Sequence, residues 1–299
     1  MPPTEDRRFS HDELSTCPLV IDAIYEGGTA GHAGDDPIGK ILPVGNQGGF
    51  RYKGSPMRND VRVIVLYTSG GETDWPDRLD PETGQFTYYG DNRTAGHELH
   101  DTRRKGNLLL RNIFEASHES PQSRATVPPI FLFEKVGTGR DVRFRGLLVP
   151  GFKGLSQEEE LVAVWRTTQR KRFQNYHAHF TVLDVATIER DWLDNIAAGR
   201  AREACPPAWR RWVQGRIYSP LAAPRTLQVR SKDEQLPQRP DEQAMLELIH
   251  GHFSPRPTEF EHFAAHLWTL QDPSVTAVDV TRASRDGGRD ALGTYRIGP

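Results

Sequence analysis

Five runs rich in β-branched and aromatic residues follow one another between Val61 and Leu183: VRVIVLYT at Val61–Thr68, then Ile130–Val136, Val142–Val149, Glu160–Thr167 and Phe173–Leu183. Side chains of this kind pack well on a pleated surface and are stiff in a helix, so the runs read as strands. Gly137-Thr138-Gly139-Arg140 supplies a turn between the second and third. Leu19–Tyr25 adds a strand, and Ile41–Val44 a short one near the end of the glycine-rich passage Gly27–Gly49. Helical spacing is confined to Leu108–Ala116, Ile188–Ala198 and the stretch opened by Pro206-Pro207. The expected fold class is therefore α+β, beginning with a curved, mostly β domain.

A change of composition divides the chain. LQVRSKDEQLPQRPD, Leu227–Asp241, is charged, punctuated by proline and poor in apolar residues, and reads as a linker. The 299 residues then fall into a polar arm at 1–16, a first domain at 17–225, a linker at 226–243 and a second domain at 244–299. The second begins with an amphipathic helix at Pro257–Leu270, continues through a strand at Val275–Arg282 and a tight turn in SRDGGRD, and ends on a strand starting at Ala291. A formal net charge of -2 excludes a histone-like polycation, although Lys and Arg outnumber acids between Arg166 and Arg230, as a solvated face or a phosphate-tracking one. Cys17 and Cys205 alone make neither a zinc knuckle nor a disulfide scaffold. With no apolar signal core and no run of membrane-spanning length, no membrane partner is expected and the location expected is cytoplasmic.

Chemistry concentrates in FTYYGDNRTAGHELHDTRRKGNLLLR, Phe86–Arg111. Flat aromatics, a carboxylate, an amide and then cations are the groups that a pocket for a base beside a phosphate groove requires. Tyr88, Tyr89, Asp91 and Asn92 are the candidate base pocket, and Arg51, Lys53, Arg103, Arg104, Lys105 and Asn107 the candidate contacts to the DNA backbone. The alternative is plainer: a half-core strand pair followed by an ordinary turn. GNQGGFRYKGS, Gly45–Ser55, either lets backbone approach a ligand or forms a glycine-rich β-turn. Trp75 is expected to pack under its loop. His177 and His179 share a strand face without a third ligand, and HELHD spaces its histidines three apart instead of the four that a helical zinc site needs.

The motifs GNQGGFRYKGS, DWPDRLD, YYGDNRTAGHELHDTRRKGN, VRFRGLLVPG and RFQNYHAHFTVLD together resemble the N-terminal domain of the AspBHI-type modification-dependent restriction endonucleases. That resemblance implies an SRA-like curved β-barrel and recognition of 5-methylcytosine in double-stranded DNA by flipping the base. FEHFAAHLW followed by VDVTRASRDGGRD resembles the start of an Mrr-type nuclease of the PD-(D/E)xK class, a truncated α/β restriction-endonuclease-like domain. By the same resemblance Asp290 is a catalytic, metal-binding acid and Glu261 the helix acid, with Mg²⁺ as the cofactor of phosphodiester hydrolysis in the complete enzyme. No Glu/Gln-x-Lys follows Asp290 before Pro299, so the chain is expected to bind modified DNA without cutting it. The alternative is a non-catalytic reader with a degenerate nuclease remnant, and a homo-oligomer is left open.

Overall fold

The structure, a computed structural model, describes residues 7–72, 74–168, 170–222, 236–237, 239–272, 274–280 and 291–296. The chain divides into two compact units between residues 223 and 224.

The first unit runs β1 (Arg8–Phe9), β2 (Leu19–Val20), β3 (Ile24–Tyr25), α1 (Pro37–Ile41), β4 (Phe50–Lys53), β5 (Val63–Thr68), β6 (Arg78–Asp80) and β7 (Gln85–Tyr89). It continues through α2 (Gly106–Glu119), α3 (Pro121–Arg124), β8 (Ile130–Lys135), β9 (Val142–Pro150), α4 (Gln157–Glu160), β10 (Leu161–Thr168), β11 (Lys171–Val182), β12 (Thr187–Ile188), α5 (Arg190–Ala197) and α6 (Pro207–Gly215). Ten strands form one sheet in the order β4-β5-β8-β9-β11-β7-β6, with β10 on β11, β3 on β9 and β1 on β3. The sheet is mixed, and among the described residues no pairing joins β4 to β6 to close it into the expected curved β-barrel.

The core follows from the continuous apolar runs. Val63, Ile64, Val65 and Leu66 are fully buried on both faces of β5, which pairs in parallel with the equally buried Ile130–Phe133 of β8. Each such side chain contributes about 1.5–3 kcal/mol on leaving water. Trp192 and Leu193 of α5 and Trp212 of α6 close over the sheet, with Trp192 edge-on to Phe131 at 6.0 Å.

Three expectations are corrected. The described part of the expected polar arm, residues 7–16, is not free, because β1 pairs with β3 and Leu14 is fully buried, while residues 1–6 lie outside the described residues. Ile41–Val44 is not a strand. Asp36 accepts from the Gly39 N–H at 2.7 Å and Pro37 preorganises the first turn, so Pro37–Ile41 winds into a short helix. Leu19–Tyr25 is two short strands, split at Asp22, whose φ of 61° is left-handed.

The second unit holds helices Pro240–Phe253 and Pro257–Gln271 and an antiparallel hairpin of Val275–Val280 with Ala291–Tyr295. The first helix starts within the segment expected to be linker; residues 226–235 and 238 of that segment lie outside the described residues. Met245, Leu248 and Leu270 of its two helices are exposed.

Candidate nucleic-acid interface

The pocket expected from Tyr88, Tyr89, Asp91 and Asn92 does not form, for a local geometric reason. Successive residues of a strand point to opposite faces, so Tyr88 enters the core while Tyr89 lies half-buried on the other side. The Tyr88 ring packs against Phe50 and Phe86, each at 6.1 Å, and burial pushes its phenol well above the ordinary range. Asp91 is spent on the start of α2, accepting from the N–H groups of Gly106 and Asn107 at 3.0 and 2.9 Å and from the Thr102 hydroxyl at 2.7 Å. A carboxylate is favoured there because the first amides of a helix lack internal partners. Asn92 is buried and donates to the carbonyls of Gln174 and His97.

The backbone candidates divide in the same way. Arg51 is buried in an ion pair with both oxygens of Asp36, at 2.9 and 2.8 Å, and donates to the Gly48 carbonyl at 2.7 Å, so it holds the glycine loop instead of facing solvent. Asn107 is fully buried, bridging the Asp91 N–H, the Leu99 carbonyl and the Asn175 side chain. Lys53, Arg103 and Arg104 are exposed, and Lys105 pairs with Asp101. Tyr52 donates to the Arg104 carbonyl at 2.6 Å, which lays the loop of Arg103 and Arg104 beside β4.

A different acid, Asp77, is buried beside the end of β7. The Asp77 carboxylate is 2% exposed, accepts from the Tyr89 backbone N–H at 3.0 Å and faces the Arg93 guanidinium at 3.4 Å. Burial raises its pKa despite those partners and the Thr68 side chain. Beside it the Trp75 ring meets Tyr89 at 5.2 Å with a 55° tilt, and Tyr89 stacks on His177 at 4.7 Å. His177 touches His179, which shares a 2.9 Å hydrogen bond with Gln85, and burial lowers the pKa of both histidines. The outward faces of β7 and β11 thus carry a ladder of neutral, flat, hydrogen-bonding side chains leading to a buried carboxyl. Trp75 does pack, against Phe173 at 6.0 Å. Asp77, just before β6, belongs to the DWPDRLD motif, where its spacing from Trp75 places the two on one loop.

Next to this ladder β10 and β11 form a two-stranded ribbon. β11 pairs with β7 only over His177–Thr181, whereas its first half, Lys171–Tyr176, pairs with β10 alone. Between Leu161 and Phe173 the sequence has no acid and four cations, Arg166, Arg170, Lys171 and Arg172. Trp165 is 54% exposed with the Arg172 guanidinium 4.1 Å above its ring, and Arg166 lies 4.8 Å over Trp75 while pairing with Asp74.

In the second unit Glu261 sits on helix Pro257–Gln271, while Asp290 lies outside the described residues. Among the described residues no three His, Cys, Asp or Glu side chains gather where a metal ion fits. Cys17 and Cys205 are free and buried, and among the described residues no helix is long and apolar enough to cross a membrane.

Residues 19–224 match the family model described as restriction endonuclease AspBHI N-terminal. The DNA recognition domain of the cytosine modification-dependent restriction endonuclease LpnPI is 42% identical, over 75% of this chain and 99% of that one, with a TM-score of 0.69. The DNA modification-dependent restriction endonuclease AspBHI is 45% identical, over 73% of this chain and 100% of that one, with a TM-score of 0.69. MspJI restriction endonuclease in complex with a 27-mer oligonucleotide is 23% identical over 92% of this chain and 71% of that one, with a TM-score of 0.51, a likeness of fold alone. No curated protein matches the chain. Matched over most of its length, this chain belongs to the AspBHI-type family of modification-dependent restriction endonucleases, through their N-terminal domain.

Proposed function

We propose that the first unit binds double-stranded DNA carrying a modified cytosine and flips that base toward Asp77. The observation that carries the reading is the buried Asp77 carboxyl, its pKa raised by burial, tied to Tyr89 and walled by Trp75. Cytosine presents an amino donor and a ring-nitrogen acceptor on its pairing edge. The carboxyl accepts from that amino group, and in the protonated form that burial favours it also donates to the ring nitrogen. The touching rings of Trp75 and Tyr89 hold the place closed in the free protein, and a flipped base enters by turning one of them aside. Extrusion costs a few kcal/mol, which stacking worth about 1–3 kcal/mol per base offsets only together with hydrogen bonds and phosphate contacts.

The ribbon supplies those contacts. A two-stranded β-ribbon fits the major groove, and Arg170, Lys171 and Arg172 at its end meet phosphates while Trp165 offers a flat face. Lys53, Arg103 and Arg104 extend the same role to the loop beside β4.

The parent enzyme of such a unit is an endodeoxyribonuclease, with Glu261 and Asp290 contributing to Mg²⁺-dependent cleavage. The second reading is a reader of modified DNA that does not cut. The deciding experiment is a gel-shift titration of methylated and unmethylated duplexes against wild type and Asp77→Leu. Leu is close to Asp in size and presents neither donor nor acceptor, so a roughly tenfold loss on methylated duplex, about 1.4 kcal/mol, is expected with little change on unmethylated DNA. Equal affinities of the two proteins for methylated DNA would remove Asp77 from the reading. Incubation of the chain with methylated plasmid and Mg²⁺ is expected to give no nicking above background.

A further inference from the structure

A cavity of about 480 Å³ opens where β5 and β8 begin. Its floor is apolar, made by Val127, Pro128 and the buried Trp209, and its rim carries Arg62, Arg200, Arg202 and Glu203. Arg200 is occupied, pairing with Glu203 at 3.1 Å and donating to Asn195 at 2.9 Å. The other two guanidinium groups are nearly uncommitted. Arg62 makes one long hydrogen bond, 3.5 Å to the Ala197 carbonyl at the end of α5, and Arg202 one of 3.4 Å to the Ala125 carbonyl after α3. Each guanidinium has five N–H donors, so most of them meet no acceptor among the described residues, although Arg62 lies close enough to Asp60 to help lower its pKa.

We propose that this cavity is a second binding site, for a phosphate carried on a nucleoside. The Arg forks match phosphate oxygens in pairs, which a lysine or a lone amide does not, and the apolar floor takes the flat or sugar part of the ligand. The volume lies within the roughly 300–1,000 Å³ usual for small-molecule sites. This site is separate from the one around Asp77. Asp77 bonds Thr68 at the far end of β5, and the six residues Val63–Thr68, at about 3.3 Å each, put the two sites about 20 Å apart. The phosphate comes either from a free mononucleotide or from a DNA strand passing beyond the base that is read.

Two titrations on the full chain separate these sources. In the first, dAMP is titrated by calorimetry with inorganic phosphate as competitor, into wild type, the Arg62→Ala/Arg202→Ala double variant, Thr126→Trp and Asp77→Leu. Thr126 is exposed at the cavity, so the tryptophan blocks it without removing a charge. In the second, duplex affinity is measured against salt for wild type and the double variant. A free-nucleotide site gives saturable dAMP binding that phosphate competes away, that both cavity variants weaken at least tenfold and that Asp77→Leu leaves unchanged. A DNA-phosphate site gives a salt slope lower by about one per lost contact in the double variant. The proposal fails if neither titration responds to the cavity variants, or if Asp77→Leu, and not they, abolishes dAMP binding. Thermal melts of all variants accompany both, and because Thr126→Trp keeps the charges, a double variant that melts early does not rescue a failed proposal.

Discussion

The backbone N–H of Tyr89 donates to the Asp77 carboxylate at 3.0 Å, so the loop that carries the buried acid is tied to the last residue of the strand that carries the stacking ring. The acid and the aromatic thus move as one piece.

From this coupling, Tyr89→Ala and Trp75→Ala are each expected to weaken binding of methylated duplex by about 1–3 kcal/mol, the worth of one stacked base. Neither substitution removes a cation, so the dependence of affinity on salt stays as in wild type. Fluorescence anisotropy across a salt series reads both quantities, and a changed slope with unchanged affinity would contradict the assignment.

The ribbon makes the opposite expectation. Arg170→Ala, Lys171→Ala and Arg172→Ala weaken methylated and unmethylated duplexes alike, and each lowers the salt slope by about 0.9 if it neutralises one phosphate. Selective loss of methylated binding in these variants would instead move base reading onto the ribbon.

The strands were legible in the sequence because the sheet's centre is buried on both faces, which leaves unbroken apolar runs such as Val63–Leu66. The helix at Pro37–Ile41 was not, since its two residues of high β propensity, Ile38 and Ile41, are surrounded by glycine and lysine and only the Asp36 cap decides the outcome. The site shows the same limit more sharply. Asp77 and Asp91 are chemically identical and both adjoin β7, yet Asp91 is claimed by two amides at the start of α2, 15 and 16 residues further on, whereas Asp77 accepts from the Tyr89 N–H and faces Arg93. Residue type alone does not separate the two acids, and the non-local helix start decides which of them is spent on a cap.

Asn107 is expected to be structural. Asn107→Ala strips partners from the Asp91 N–H, the Leu99 carbonyl and the Asn175 side chain, all close to or inside the core. At about 1–3 kcal/mol for each buried group left unsatisfied, the loss amounts to several kcal/mol. At about 2–4 °C per kcal/mol for a unit of this size, a fall in Tm of about 10 °C is expected by calorimetry. Gly90→Ala should fail similarly, because a Cβ there would lie 1.8 Å from the Asn107 Oδ1. A variant that keeps its Tm but loses DNA binding would return Asn107 to the interface.

The histidine ladder gives the protein a pH dependence whose sign is fixed. Burial lowers the pKa of His177 and His179 below 6.5, so between that value and the lowered ones the unfolded chain binds more protons than the folded one. Their contribution to stability is therefore complete above 6.5 and is lost as pH falls through the lowered values. His100, lowered by burial as well, titrates in the same window. Wild-type Tm is expected to fall as pH drops from about 7 to about 5.5, and His177→Gln/His179→Gln to show a shallower fall that His100 keeps from vanishing. Thermal melts in matched buffers measure it, and parallel curves for the two proteins would mean that the histidines do not sense the folded state.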